Sequence, residues 1–307
     1  MPRTGWVGKS PPWLPSATDY PVPEMPAGVE ETGLKTGDRI GPYHLEEFLG
    51  QGAVAVVFRA VRDDGRVVAL KVLKEKLSAD PVYQRRFIHE ARAASEVQSH
   101  HLVPIVDAGE ADGKHYLAQA FIPGRSLADR IEADGQLPID DILRTASEGG
   151  AGLDALHAGG LVHRDIKPSN IMLDQNGSAL LTDFGLAKGP AYTVLTSPGQ
   201  VMGTLDYLAP ELVKGGPATP ASDLYAFACV IYECIAGKPP FADRGLFQVA
   251  MAHLNEQPPD PCLARVDLPM QLSWSVLQGL AKDPAQRPPG ATAFAHMLRL
   301  SVKPFSG

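Results

Sequence analysis

The chain has 307 residues, a hydrophobic fraction of 44% and a formal net charge of −7. That supplies the core of one catalytic domain plus a tail, and the negative balance gives no electrostatic support to a nucleic-acid-binding role. No run of 18 uncharged apolar residues occurs, so no membrane helix is expected; Cys229, Cys234 and Cys262 form no C-x-x-C pair and read as reduced, cytoplasmic thiols.

Residues 1–38 hold seven prolines and no hydrophobic period, which predicts a disordered leader, and they lack the apolar stretch of a signal peptide. Leu45–Leu49 reads as a strand. It runs into Gly50-Gln51-Gly52-Ala53-Val54-Ala55-Val56-Val57. Glycines at 50 and 52 let backbone N–H groups approach a phosphate. The loop leads into the β-branched run Val54–Phe58 and not into a helix, which argues against a dinucleotide fold. Val67–Leu73 is a strand with one lysine, Lys71, inside it.

Asp80 and Pro81 suit the cap and first position of a helix, whose buried face is Phe87, Ala91 and Ala94, with Glu90 at its margin. Leu102–Ala108 and Lys114–Phe121 read as two strands joined by a turn at Glu110–Gly113. His100 and His101 have no carboxylate or cysteine pattern nearby and are not read as metal ligands. A helix is predicted from Ile139 to about Leu161, weakened by Gly149, Gly150 and Gly152 at about 1 kcal/mol each.

Then comes His163-Arg164-Asp165-Ile166-Lys167-Pro168-Ser169-Asn170. Pro168 keeps Lys167 out of helical geometry, so this is a loop. Thirteen residues after Asn170, behind the apolar Ala179–Leu181, stands Asp183-Phe184-Gly185. An Asp held at a strand end by a following Gly is a natural divalent-cation ligand. Asp165, Asn170 and Asp183 together can set a hydroxyl group and Mg²⁺ beside a phosphate. Downstream, Gly203-Thr204-Leu205-Asp206-Tyr207-Leu208-Ala209-Pro210-Glu211 closes a segment rich in hydroxyls. Ser222–Ala236 is apolar nearly all round, which marks a core helix ended by Gly237. Leu246–Leu300 is helical by period and includes Arg287.

In this order and spacing, the glycine loop, V-A-L-K, the helix Glu, H-R-D-x-x-x-x-N, D-F-G and A-P-E resemble the eukaryotic-like Ser/Thr protein kinases of bacteria. The resemblance covers about 260 residues and departs mildly at Ala55, in the third glycine position. It implies an α+β, bilobal fold: a small antiparallel sheet with one key helix over residues 39–123, a larger helical lobe over 124–302, and a tail at 303–307. It implies ATP and Mg²⁺ as cofactors, with Mn²⁺ as an alternative ion.

In that reading Gly50, Gln51 and Gly52 cover the phosphates. Lys71 holds them, aligned by Glu90. Leu49, Val57, Ala69 and Met172 enclose adenine between the lobes, with Gln119 behind it and Ala120 and Ile122 in the hinge. Asp165 orients the acceptor hydroxyl and takes its proton; Lys167 neutralises the γ-phosphate; Asn170 and Asp183 bind the metal. Arg287 pairs with Glu211, and Asp223 bonds the catalytic-loop backbone.

The partners implied are protein substrates and the kinase itself, with no nucleic acid and no membrane; oligomeric state is left open. Arg164, with Lys188 and Arg86, implies a phosphate receiver. Thr196, seven residues before Gly203, is the expected phosphosite, with Thr193 and Ser197 as alternates. The competing reading is a nucleotide-binding pseudokinase, which normally lacks one of these groups; none is missing.

Overall fold

The computed structural model describes residues 32–52, 54–78, 81–184, 205–263, 265 and 267–302. Asp80, Lys188, Thr193, Thr196 and Ser197 lie outside them, as do Gly185, Gly203 and Thr204; of Arg86 only the main chain is described. The chain forms two compact units. The first runs to Gln98 and resumes at Val103–Ile122; the second takes Ser99–Leu102 and everything from Pro123.

The first unit is built on a six-stranded antiparallel sheet: β1 (Arg39–Ile40), β2 (Tyr43–Gln51), β3 (Ala55–Arg62), β4 (Val67–Leu73), β5 (Ile105–Ala111) and β6 (Lys114–Ala120), in the order β1-β2-β3-β4-β6-β5. β4 alternates as a half-buried sheet must: Val68, Leu70 and Val72 are buried, whereas Val67, Ala69 and Lys71 face the more open side. Two helices, α1 (Glu75–Ser78) and α2 (Pro81–Glu96), come after β4. Phe87, Ala91 and Ala94 of α2 are buried, and the helix packs on β5. β5 and β6 are joined by Asp112-Gly113, both at positive φ (54° and 71°). That is the two-residue turn whose twist suits a hairpin.

Packing begins before the expected boundary at residue 38. Thr32 and Leu34 are buried, and Lys114 Nζ donates to the Thr32 carbonyl at 2.6 Å. Leu102 does not open β5 either. Pro104 has no N–H to give a ladder, and Leu102 instead bridges in parallel to Leu181, within the second unit.

The second unit holds a small sheet, β7 (Gly124–Ser126), β8 (Ile171–Asp174) and β9 (Ala179–Leu181), and helices α3 (Leu127–Asp134), α4 (Ile139–Ala158), α5 (Pro210–Val213), α6 (Pro220–Ala236), α7 (Leu246–Asn255), α8 (Met270–Gly279) and α9 (Ala291–Val302). The stretch Leu246–Leu300, helical by period, holds three helices, separated where Pro258, Pro259, Pro261 and Pro284 remove donors. α6 starts in a capping box, with Thr219 and Ser222 bonding each other's main chain, and ends at Gly237 in the left-handed conformation. Between them nearly every residue is buried.

The glycines of α4 are contact points. A Cβ at Gly149 would stand 2.9 Å from the Phe227 ring, at Gly150 2.9 Å from the Ala291 carbonyl, and at Gly152 2.6 Å from the His101 carbonyl. They cost helix propensity and allow α6, α9 and the Ser99–Leu102 segment to approach. α9 is started by α4 as well: Asp154 accepts from the Ala291 and Thr292 N–H groups at 2.9 Å each. This is a cap supplied across 137 residues.

Candidate active site

In the second unit, the loop before β8 and the residues after β9 lie at the same end of one hairpin. β8 pairs with β9 through Ile171–Leu181, and Thr182 N–H continues the pairing onto the Asn170 carbonyl at 3.0 Å. Asn170 and Asp183 are therefore held at the same end of the β8–β9 hairpin, just outside its strands. The Asn170 amide donates to the Asp165 carbonyl at 2.7 Å and to Asp165 Oδ2 at 3.1 Å. Both amide hydrogens are spent there, which leaves the amide oxygen for a cation. Lys167 Nζ stands 3.1 Å from the same Asp165 oxygen. The Thr182 hydroxyl donates to Asp183 Oδ1 at 3.2 Å.

The main chain around these groups is unusual. Arg164 and Asp183 are non-glycine residues at φ 67° and 63°, a conformation that persists only where surroundings impose it. For Arg164 the cause is Asp223, near the start of α6. Its two oxygens accept the N–H groups of His163 (2.7 Å) and Arg164 (2.9 Å), and His157 Nε2 lies 2.9 Å from the same carboxylate. A buried carboxylate at a helix N-terminus, with its acceptor sites filled, makes the loop a rigid extension of α6.

His163 Nε2 faces the Thr182 carbonyl at 3.0 Å and Nδ1 faces the Asp165 N–H at 3.4 Å. One tautomer, protonated at Nε2, satisfies both, and burial lowers the basicity of the ring. Phe184 meets the same ring edge-on at 6.1 Å. The segment after the hydroxyl-rich stretch is fixed as firmly. Arg287, its side chain fully buried, makes a two-pronged pair with Glu211 at 2.7 and 2.8 Å and donates to the Ala221 carbonyl at 2.7 Å.

A cavity of about 540 Å³ adjoins Lys167 and is lined by Pro168, Ser169, Ile131, Glu132, Tyr207 and Glu233, among others. The Tyr207 hydroxyl donates to Glu233 at 2.7 Å. Burial raises the Glu233 carboxyl to about 7, partly offset by that bond. In the sequence Glu233 reads only as an interruption of an apolar helix, and that interruption is its mark.

In the first unit, Gly50, Val57, Lys71 and Leu117 are successive register partners across four strands. Val57 and Lys71 share the more open face with Ala69. The glycine loop thus sits in line with the lysine, two strands away. Gly50 is at φ 154°, and Leu49 is exposed. Burial lowers the Lys71 amine to about 7, because a low-dielectric surrounding disfavours the charged form. Glu90 lies one turn after Phe87 on α2, half-buried. Gln119 and Ala120 end β6, and Ile122 stands two residues on; all three are buried. Met172 lies on β8 of the second unit.

A sheet lysine in register with a glycine loop, and an Asp–Lys–Asn loop beside a second Asp, are the parts of a phosphoryl-transfer domain. The protein kinase domain family matches residues 43–297, and the chain belongs to that family. It is 40% identical over 256 residues to serine/threonine-protein kinase PknE of Mycobacterium tuberculosis, covering 82% of this chain and 45% of that protein. With PknH of the same organism it is 35% identical over 254 residues, covering 82% and 41%. The chain therefore spans less than half the length of these curated relatives. The crystal structure of the M. tuberculosis PknI kinase domain superposes with a TM-score of 0.70 at 28% identity, covering 87% of this chain and 99% of that one.

Proposed function

We propose that the chain transfers the γ-phosphoryl group of ATP to serine or threonine hydroxyls of proteins, itself included. The observation that carries this reading is the completeness of the Asp165–Lys167–Asn170–Asp183 set on a main chain held by Asp223. Phosphoryl transfer asks for positioning and charge neutralisation more than for covalent chemistry. Asp165 accepts the proton of the acceptor hydroxyl and orients it. Lys167, already beside Asp165, neutralises charge at the transferred group. The Asn170 amide oxygen and the Asp183 carboxylate are hard oxygen donors at one end of the β8–β9 hairpin, a set that suits Mg²⁺ with the nucleotide's own oxygens. When bound, that ion neutralises phosphate charge. Lys71, aligned by Glu90, holds the α- and β-phosphates under Gly50, Gln51 and Gly52. Leu49, Val57, Ala69 and Met172 contact adenine, and the Ala120 and Ile122 main chain hydrogen-bonds it.

Lysine two residues after Asp165, together with Gly203-Thr204, favours Ser/Thr over Tyr acceptors. We assign the chemistry to the cytoplasm, where ATP is held and the thiols of Cys229 and Cys234 stay reduced. Arg164 stands directly before Asp165 and is the residue to receive a phosphate on Thr196, ordering the segment beyond Asp183. The test is purified protein with Mg·ATP and dephosphorylated casein. Labelled phosphoserine and phosphothreonine are expected; nucleotide binding without transfer would favour the pseudokinase reading instead.

A further inference from the structure

Phe58, Arg59 and Ala60 of β3 are buried in succession. A strand with one open face should alternate, and Val57 and Val61, on the same face as Arg59, are only half-buried. The guanidinium is covered where its neighbours are not: the Arg59 side chain is 6% exposed. Two contacts are made by it. Arg59 Nη1 donates to Glu46 Oε2, and the guanidinium carbon lies over the Phe121 ring, 5.6 Å from its centre.

The sheet aims both partners. The register of β2 on β3 slips between Leu45 and Glu47, so Glu46 is the extra residue of a bulge, a device that redirects a side chain. Arg59 lies in one register row with Ala69 of β4 and Gln119 of β6. Phe121 stands two residues beyond Gln119, past the end of β6 at Ala120. The Ala120 N–H donates to the Pro104 carbonyl at 2.8 Å. Phe121 and Ile122 follow outside the strand, so side-chain contacts bear on where they sit.

Burying a guanidinium costs desolvation that a leucine would not incur. What the cation adds is direction. Apolar attraction has none, whereas a planar guanidinium tied to a carboxylate lies on a ring in a set orientation. The ring in turn constrains the main chain on both sides of it. Those flanking groups, Ala120 and Ile122, are the ones assigned to adenine above.

We propose that Arg59 is a positioning residue for the nucleotide base: tied to Glu46, it holds the Phe121 ring and so the main chain of Ala120 and Ile122. The inference rests on the protein kinase reading, which puts adenine against that main chain. A fixed main chain presents its donors and acceptors in one order, and adenine carries an amino donor where guanine carries an acceptor oxygen. Holding the segment therefore favours adenine over guanine.

Three substitutions test the contacts. Arg59→Met keeps a long stem and loses the charge; Arg59→Lys keeps a cation without the planar fork; Phe121→Leu removes the ring. Binding of Mg·ADP and Mg·GDP is read by titration calorimetry, beside hydrogen exchange at the Ile122 amide in nucleotide-free protein. Arg59→Met is expected to weaken ADP about tenfold and GDP by less than about threefold, and to speed Ile122 exchange about tenfold. Phe121→Leu should act in the same direction, and the double variant should be no worse than the weaker-binding single one, because one contact is lost in each. Arg59→Lys should fall between wild type and Arg59→Met. Unchanged Ile122 exchange in Arg59→Met, equal losses for ADP and GDP, or additive effects of the two substitutions would overturn the proposal. Failure of the kinase reading looks different: a wild type that binds ADP and phosphorylates no acceptor removes that reading, and Arg59 is still judged by binding and exchange, neither of which needs turnover.

Discussion

Asp223 and Asp165 are both carboxylates on one short stretch of structure, and their surroundings divide their tasks. Asp223 is buried with main-chain donors on both oxygens; it holds shape. Asp165 keeps one oxygen against Lys167 and Asn170, where an acceptor hydroxyl can be met. The division predicts different failures. Asp165→Asn should retain nucleotide binding and lose turnover by roughly 10²-fold or more, the range for a positioned base. Asp183→Asn should weaken Mg·ATP binding itself, read by titration calorimetry, because the proposed reading makes that carboxylate a metal ligand. Near wild-type turnover in Asp165→Asn would mean that the loop has been misassigned. Glu233 permits a separate test, with its sign worked out. Its folded-state carboxyl is raised from 4.5 to about 7, so the folded chain binds the extra proton. The stability linked to that proton is present below pH 4.5 and is lost as pH rises through 7. Glu233→Gln keeps an oxygen for the Tyr207 hydroxyl and has no charge to desolvate. It should melt higher than wild type at about pH 8, by about 1–3 kcal/mol, and alike at about pH 5.

At the scale of elements, the groups proposed to touch nucleotide or acceptor stand out by residue type and spacing, because the chemistry tolerates few alternatives. Lys71 in a strand, Asn170 five residues after Asp165 and Asp183 after an apolar run are such cases. What could not be read is set by contacts remote in the chain. Asp154 looks like any helical aspartate until α9 arrives to be capped by it. Thr32 lies in a stretch of turn-forming composition, yet Lys114 reaches its carbonyl. The α4 glycines are the clearest reversal. Propensity alone makes alanine better there by about 1 kcal/mol, whereas a Cβ at Gly150 would press on a main-chain carbonyl. Gly150→Ala should therefore lower the melting temperature despite the better helix former, by about 1–3 kcal/mol of stability, the cost of overpacking. A stabilised variant in thermal melting would show that α9 yields.

For the whole molecule, acid pH bears on one histidine, His253 of α7, which is fully buried. His253 is held neutral, its basicity lowered from 6.5 to about 3. The unfolded chain binds a proton there that the folded chain refuses. Its contribution to stability is thus complete above pH 6.5 and is lost as pH falls toward 3. His253→Gln has no such proton, so its acid limb in a melting series from about pH 7 to about pH 4 should be shallower than that of wild type.

α6 carries a further consequence. Apolar nearly all round, it is hidden in part by partners that come later in the chain: Phe227 by Phe294 of α9, and Ala228 by the close approach of Gly279 at the end of α8. On a ribosome the helix emerges while those partners are still untranslated, roughly 60 residues behind. At about 5–20 residues per second, the nascent chain displays one side of a largely apolar helix for several seconds before that part of its cover exists. Synthesis of this domain therefore passes through a window in which one side of α6 is exposed to aggregation until the last two helices arrive.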